Sequence, residues 1–269
     1  MELLGRIGLA AGVTTTSTAI GTKLRMDRVD MVFERDGKRI PVLEDINLEV
    51  TDGEFICVVG PSGCGKSTLL NLMGGFLSPT SGSVTIAGEV VKGPDPRRIL
   101  VFQERGVFPW LTVEGNIGFG LSRLSRVERE ERIAHYVKLV RLEGFEHSYP
   151  SDLSGGMKQR LQVARALAVD PDILFLDEPF GALDSVTRLI MRSELLRIWQ
   201  AERRTILFVT HDIDEAVQLA DRVVVLSSRP AKIQDILQID IAHPRNISSS
   251  RYLELRDDLL NKIGVAFTL

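Results

Sequence analysis

The sequence predicts an α/β protein built on a parallel sheet with helices on both faces. Three observations carry this. Short apolar runs recur at Phe55–Gly60, Ile173–Asp177, Thr205–Thr210 and Arg222–Ser227, and strands this uniformly apolar are buried on both sides. Segments of helical periodicity separate them, the alternation that yields parallel crossovers. A glycine-rich loop joins the first run directly to a helix.

In chain order, Met26–Leu48 alternates loosely around a turn at Asp36-Gly37, which predicts antiparallel strands ahead of the first apolar run. A helix over Lys66–Leu77 opens from the loop. Short strands follow at Ser83–Ile86 and Ile99–Gln103. From about Leu111 to Glu146 the chain turns rich in Arg, Glu and Leu at helical spacing, with few β-branched residues; this reads as a helical insert. Ser154 is suited to cap an amphipathic helix over Met157–Val169, and Arg188–Trp199 is helical. Residues 1–25 are expected to be a disordered N-terminal extension. The stretch Met1–Lys23 is Thr-, Ala- and Gly-rich and lacks the basic start and compact apolar core of a signal peptide; a start codon upstream of Met26 is the other reading. The main domain is expected to span residues 26–240, with its helical subdomain at about 111–158, and residues 241–269 to form a short helical tail.

Hydrophobic residues at 44% and charged residues at 26% match a folded globular chain and exclude a disordered one. No apolar stretch reaches the length of a membrane span, so a membrane role is expected to run through partners. A net charge of −3 and the absence of a basic block argue against nucleic acid as a partner. Cys57 and Cys64 lack both a disulfide framework and metal-site spacing, which fits a reducing cytoplasm.

Gly60-Pro61-Ser62-Gly63-Cys64-Gly65-Lys66-Ser67-Thr68 matches the pattern G-x-x-x-x-G-K-[ST]. Glycines let successive backbone N–H groups turn inward around phosphates, and the helix that follows presents its positive end to them. Lys66 adds a point charge for the β/γ-phosphates, Ser67 a hard oxygen for Mg²⁺, and Cys64 is a small residue the loop accommodates. Asp177 closes the next buried strand as a second Mg²⁺ oxygen. Glu178, one residue on, is suited to take a proton from an attacking water. His211 ends a further strand at the same sheet edge, suited to bond the γ-phosphate. The expected cofactors are ATP and Mg²⁺.

Leu153-Ser154-Gly155-Gly156-Met157-Lys158-Gln159-Arg160 narrows the choice among such ATPases. It resembles the LSGGQ signature of ABC transporter ATP-binding subunits, with Met157 where the general pattern has Gln. Gln103 in VFQE resembles that family's Q-loop, Gly181-Ala182-Leu183-Asp184 its D-loop and His211 its H-loop. Phe33 is either a core residue or the aromatic that stacks on adenine. The likeness covers about Met26–Ser228 and implies a P-loop NTPase (RecA-like) core with an antiparallel β subdomain and an inserted helical one. It implies roles for Gln103 in catalysis and at Mg²⁺. It also implies that Ser154, Gly155, Gly156 and Asp184 meet nucleotide held by a second copy, in a homodimer or a pair with a related cassette.

Val101–Val113, Ser228–Ile233 and Arg256–Leu260 are similar to the corresponding segments of nitrate/sulfonate/taurine importers. That subfamily implies uptake of a small anionic solute through two separate transmembrane permease subunits; an exporter ATPase, or a soluble ABC ATPase acting on nucleic acid or ribosomes, is the other reading. It places the chain on the cytoplasmic face of the inner membrane, with a solute-binding protein engaged indirectly. Phe108-Pro109-Trp110 is either a turn packed in the insert or the wall of a groove for a permease helix. The roughly forty residues after Ser228 predict no separate regulatory domain.

Overall fold

The computed structural model describes residues 21–101, 106–181 and 183–264. Strands β1 (Thr22–Arg35) and β2 (Lys38–Thr51) form a long antiparallel hairpin. Its turn takes positive φ at both Asp36 and Gly37, the geometry a tight hairpin needs. Strand β1 thus starts at Thr22, four residues before the expected boundary at Met26: Leu24 is buried and pairs with both Val50 and Ile86. Residues 1–20 of the expected extension lie outside the described residues.

Strand β3 (Phe55–Val59) enters the glycine-rich loop, and α1 (Lys66–Gly74) leaves it. Then come β4 (Ser81–Ile86), β5 (Glu89–Val90) and β6 (Arg98–Val101). The helical insert holds α2 (Val113–Gly118) and α3 (Arg126–Leu139), followed by a single 3₁₀ turn at Pro150–Asp152 and then α4 (Gly155–Ala168). Strand β7 (Ile173–Asp177), helix α5 (Ser185–Glu202), strand β8 (Thr205–Val209), helix α6 (Ile213–Leu219) and strand β9 (Arg222–Leu226) complete the alternating core. Strand β10 (Ile233–Gln238) folds back antiparallel on β9, and α7 (Ser250–Ile263) follows.

Two sheets result. One is antiparallel, in the order β2-β1-β4-β5; the other runs β10-β9-β3-β8-β7-β6, parallel from β9 to β6. The period of two along each strand assigns its two faces. Ile56, Val58, Ile173, Phe175, Leu207, Val209, Val224 and Leu226 face the antiparallel sheet and Leu69, Leu70 and Met73 of α1. Their alternates Phe55, Cys57, Leu174, Leu176, Phe208 and Val225 pack on Leu161, Leu167, Leu195, Trp199 and Tyr252 of α4, α5 and α7. Helix α1 is therefore wedged between two sheets, which fixes the loop that precedes it.

Candidate nucleotide site

Parallel strands leave their carboxyl ends along one edge, where the loops after β3, β7, β8 and β9 gather. Helix α1 starts there without a side-chain cap. Thr112, Ser125, Ser154, Asp184, Asp212 and Ser249 each cap the helix that follows them, whereas Gly65 offers nothing to the first N–H groups of α1. Those donors are free for an anion. Gly65 is obligatory: its φ is +124°, and a Cβ would sit 2.9 Å from Val42 Cγ1. Lys66 is 7% exposed, and its Nζ donates to Gly60 O at 2.9 Å and Pro61 O at 3.0 Å. Cys64 is buried beneath the loop; burial raises its thiol pKa while Lys66 lowers it.

The Ser67 hydroxyl lies beside Asp177, which closes β7. Burial pushes the Asp177 carboxyl above the usual range, Glu178 adds to that, and Ser67 and Lys66 oppose it. An exposed hydroxyl next to a partly buried carboxylate at a phosphate loop gives hard oxygens suited to Mg²⁺, so the residues present fit that ion. Glu178 has φ +44°, a left-handed conformation unusual for a residue with a Cβ. Its N–H donates to Val209 O at 2.9 Å, and its Oε2 lies 3.0 Å from His211 Nδ1. The backbone is strained where the carboxylate must point, as is common at functional sites.

A cleft of about 580 Å³ runs from this loop to the β1–β2 hairpin. Ser62, Gly63, Gly65, Lys66, Ser67, Thr68 and Glu178 line one part; Phe33, Ile40 and Val42 supply apolar surface, with Glu34, Arg35 and Arg229 beside them. Phe33 is 37% exposed and faces the cleft, so it is not a core residue. The structure thus brings Phe33, the phosphate loop, Asp177, Glu178 and His211 to one place. Ser154 and Gly155 are exposed on α4 and do not line the cleft, nor does Gly156. Asp184 also lies outside it; both its oxygens bind within its own helix, to Val186 N, Thr187 N and Thr187 Oγ1. Gln103 lies outside the described residues.

Behind His211 lies a buried network that the sequence did not disclose. Arg192 Nη2 donates to Asp212 Oδ2 at 2.6 Å and Glu215 Oε1 at 3.3 Å, and Thr210 Oγ1 to Glu215 Oε2 at 2.6 Å. Arg188 bonds both Asp212 Oδ2 and Leu183 O, tying the turn before α5 to the turn that carries His211. Burial raises the Glu215 pKa, whereas Thr210 and Arg192 lower it. Replacing Thr210 by valine would leave Glu215 short of a donor, an expected loss of about 1–3 kcal/mol measurable by urea unfolding.

The ABC transporter family model matches residues 43–181. An uncharacterized ABC transporter ATP-binding protein of Methanocaldococcus jannaschii is 50% identical over 242 residues, 89% of this chain and 90% of the relative. The chain belongs to the ABC transporter ATP-binding family. The aliphatic sulfonates import ATP-binding protein SsuB of Bacillus cereus is 44% identical, over 88% of this chain and 94% of its own. Among solved structures, a dimeric ATP-binding cassette in a post-hydrolysis state with ADP and phosphate is 30% identical. It superimposes with a TM-score of 0.69 over 81% of this chain and all of its own. The cbiO1 protein of Clostridium perfringens, part of the ABC transporter complex cbiONQ, is 22% identical at a TM-score of 0.75 and shares the fold. This ABC cassette has the P-loop NTPase fold, binds ATP and is an ATPase.

A second cavity, also about 580 Å³, lies between β6, the α2–α3 segment and α4. Phe108 and Phe119 form part of its lining. Phe108 stacks on Trp110 with centroids 5.3 Å apart, and the Arg165 guanidinium sits 4.4 Å over the Phe108 ring. Val107 is the inward residue of this turn, while Trp110 is 68% exposed. Among the described residues, no helix is long and apolar enough to cross a membrane.

Proposed function

We propose that this ATPase is the motor subunit of an importer for a small anionic solute such as a sulfonate, nitrate or taurine, acting through separate permease subunits. The cavity walled by Phe108 and Phe119, with exposed Trp110 stacked on Phe108, carries the proposal, since exposed aromatics beside an apolar cavity are typical anchors for a partner helix. The identity with the aliphatic sulfonate import protein supports the solute class. The chain would sit on the cytoplasmic face of the membrane through those permeases.

In this reading Phe33 stacks on the base, and the loop N–H groups and Lys66 neutralise the phosphates. Ser67 and Asp177 would hold Mg²⁺, which would supply positive charge to offset the negative charge developing on the transferred phosphoryl group. Glu178 takes the proton of the attacking water while His211 fixes the orientation of the carboxylate. Gln103 serves at the metal and the attacking water. Ser154, Gly155, Gly156 and Asp184 act on nucleotide held by a second copy, so two cassettes close around ATP.

The test combines the purified chain with its cognate permease in vesicles. ATPase activity is expected to rise on assembly, and Trp110→Ala to weaken permease binding by about thirtyfold with ATP affinity unchanged. Activity indifferent to the permease would overturn the transport role. Ser154→Arg is expected to leave ATP binding to one chain intact yet abolish the ATP-driven dimer on sizing; a normal dimer would exclude the shared site.

A further inference from the structure

The loop after β9 is fixed against the phosphate loop and strand β2. Leu226 O lies 2.9 Å from where a Cβ on Gly60 would stand. Ser227 N donates to Lys232 O at 3.0 Å, and Lys232 N to Ser227 Oγ at 3.0 Å. Ala231 N donates to Val42 O at 2.8 Å, Glu44 N to Ala231 O at 3.0 Å, and Lys232 pairs with Glu44 at 2.9 Å. Arg229 projects from this stitched turn, exposed, into the lining of the nucleotide cleft.

Most charges lining that cleft are engaged. Lys66 is held by loop carbonyls, Glu178 by His211, and Arg35 lies 3.8 Å from Asp36. Arg229 forms no hydrogen bond or ion pair among the described residues, and Glu34, the remaining charge, is not paired with it either. A rigid backbone holding an unpaired guanidinium over an anion site is preorganised for a phosphate oxygen.

We propose that Arg229 is a nucleotide-contact residue whose guanidinium donates to the α-phosphate of bound ATP. The N–H groups at the start of α1 and Lys66 serve the outer phosphates, and Phe33 offers a face to the base. The α-phosphate joins those two parts of the ligand, and among the described residues Arg229 is the cation lining the cleft with no ion-pair or hydrogen-bond partner. The inference rests on ATP binding and is independent of the transported solute.

Calorimetric titration of Arg229→Ala and Arg229→Lys with ATP, ADP and GTP, together with AMP competition, tests this. Loss of one charge-assisted contact should raise the dissociation constants of ATP, ADP and AMP alike, by about ten- to a hundredfold. Lysine should recover part of the loss, because it keeps the charge without the fork. The GTP-to-ATP ratio should not change, and thermal unfolding should coincide with that of the parent. Unchanged ATP affinity would overturn the proposal. So would a loss confined to ATP, which marks a γ-phosphate contact, or an altered GTP-to-ATP ratio, which marks a base contact.

Discussion

Glu178→Gln is expected to lower ATP turnover by about 10²–10⁴-fold, the usual contribution of a positioned general base. The substitution keeps the size of the side chain and its capacity to accept from His211 Nδ1, 3.0 Å away. It removes only the basicity. The strained backbone at Glu178 and the hydrogen bond from its N–H to Val209 O are main-chain features, so the variant should fold as the parent does. ATP affinity should not fall, because the amide removes a negative charge from beside the phosphates. Single-turnover kinetics separate the outcomes. A slow chemical step with intact binding supports the base, and a turnover near that of the parent would remove Glu178 from the reaction. His211→Ala should lose less, since it leaves the carboxylate in place with one fewer restraint.

The parts of this site that could be read in the sequence are those where local pattern and burial coincide. Strands β3, β7, β8 and β9 are two-sided apolar runs, and their ends mark the phosphate loop, Asp177, Glu178, His211 and the turn bearing Arg229. Strand β10 was missed because it lies at the sheet edge and alternates half-buried with exposed residues, which weakens the apolar signal. The start of β1 at Thr22 was missed because Thr22 and Lys23 continue the polar composition of the preceding segment; only pairing with β2 and β4 orders them. Helix α5 begins at Ser185, three residues earlier than its apolar period suggests, because the Asp184 side chain caps it by accepting from two backbone N–H groups. The network of Arg188, Arg192, Asp212 and Glu215 joins residues twenty or more apart, and no local pattern announces it. The spacing of the two arginines, four residues apart on one helix face, is the sole sequence trace.

Lys66→Ala is expected to weaken ATP binding by about a hundredfold or more, from the loss of charge-assisted contacts worth about 1.5–3 kcal/mol each. The residue has two functions that the substitution removes together. Its ammonium bridges Gly60 O and Pro61 O, folding the loop around the cation. In the proposed reading the same ammonium meets the β/γ-phosphates, so the loop is shaped in advance around the charge that would receive them. Arginine is no substitute: at 7% exposure the slot between the loop carbonyls fits a compact ammonium, and the planar fork is too wide for it. Lys66→Arg should therefore bind ATP almost as poorly as Lys66→Ala, although both keep the fold, because Leu69, Leu70 and Met73 anchor α1 between the sheets. Equal losses in the two variants, measured by calorimetry, would show that geometry at this position matters as much as charge. Full rescue by arginine would reduce Lys66 to a diffuse field and shift the specificity of the loop onto its backbone donors alone.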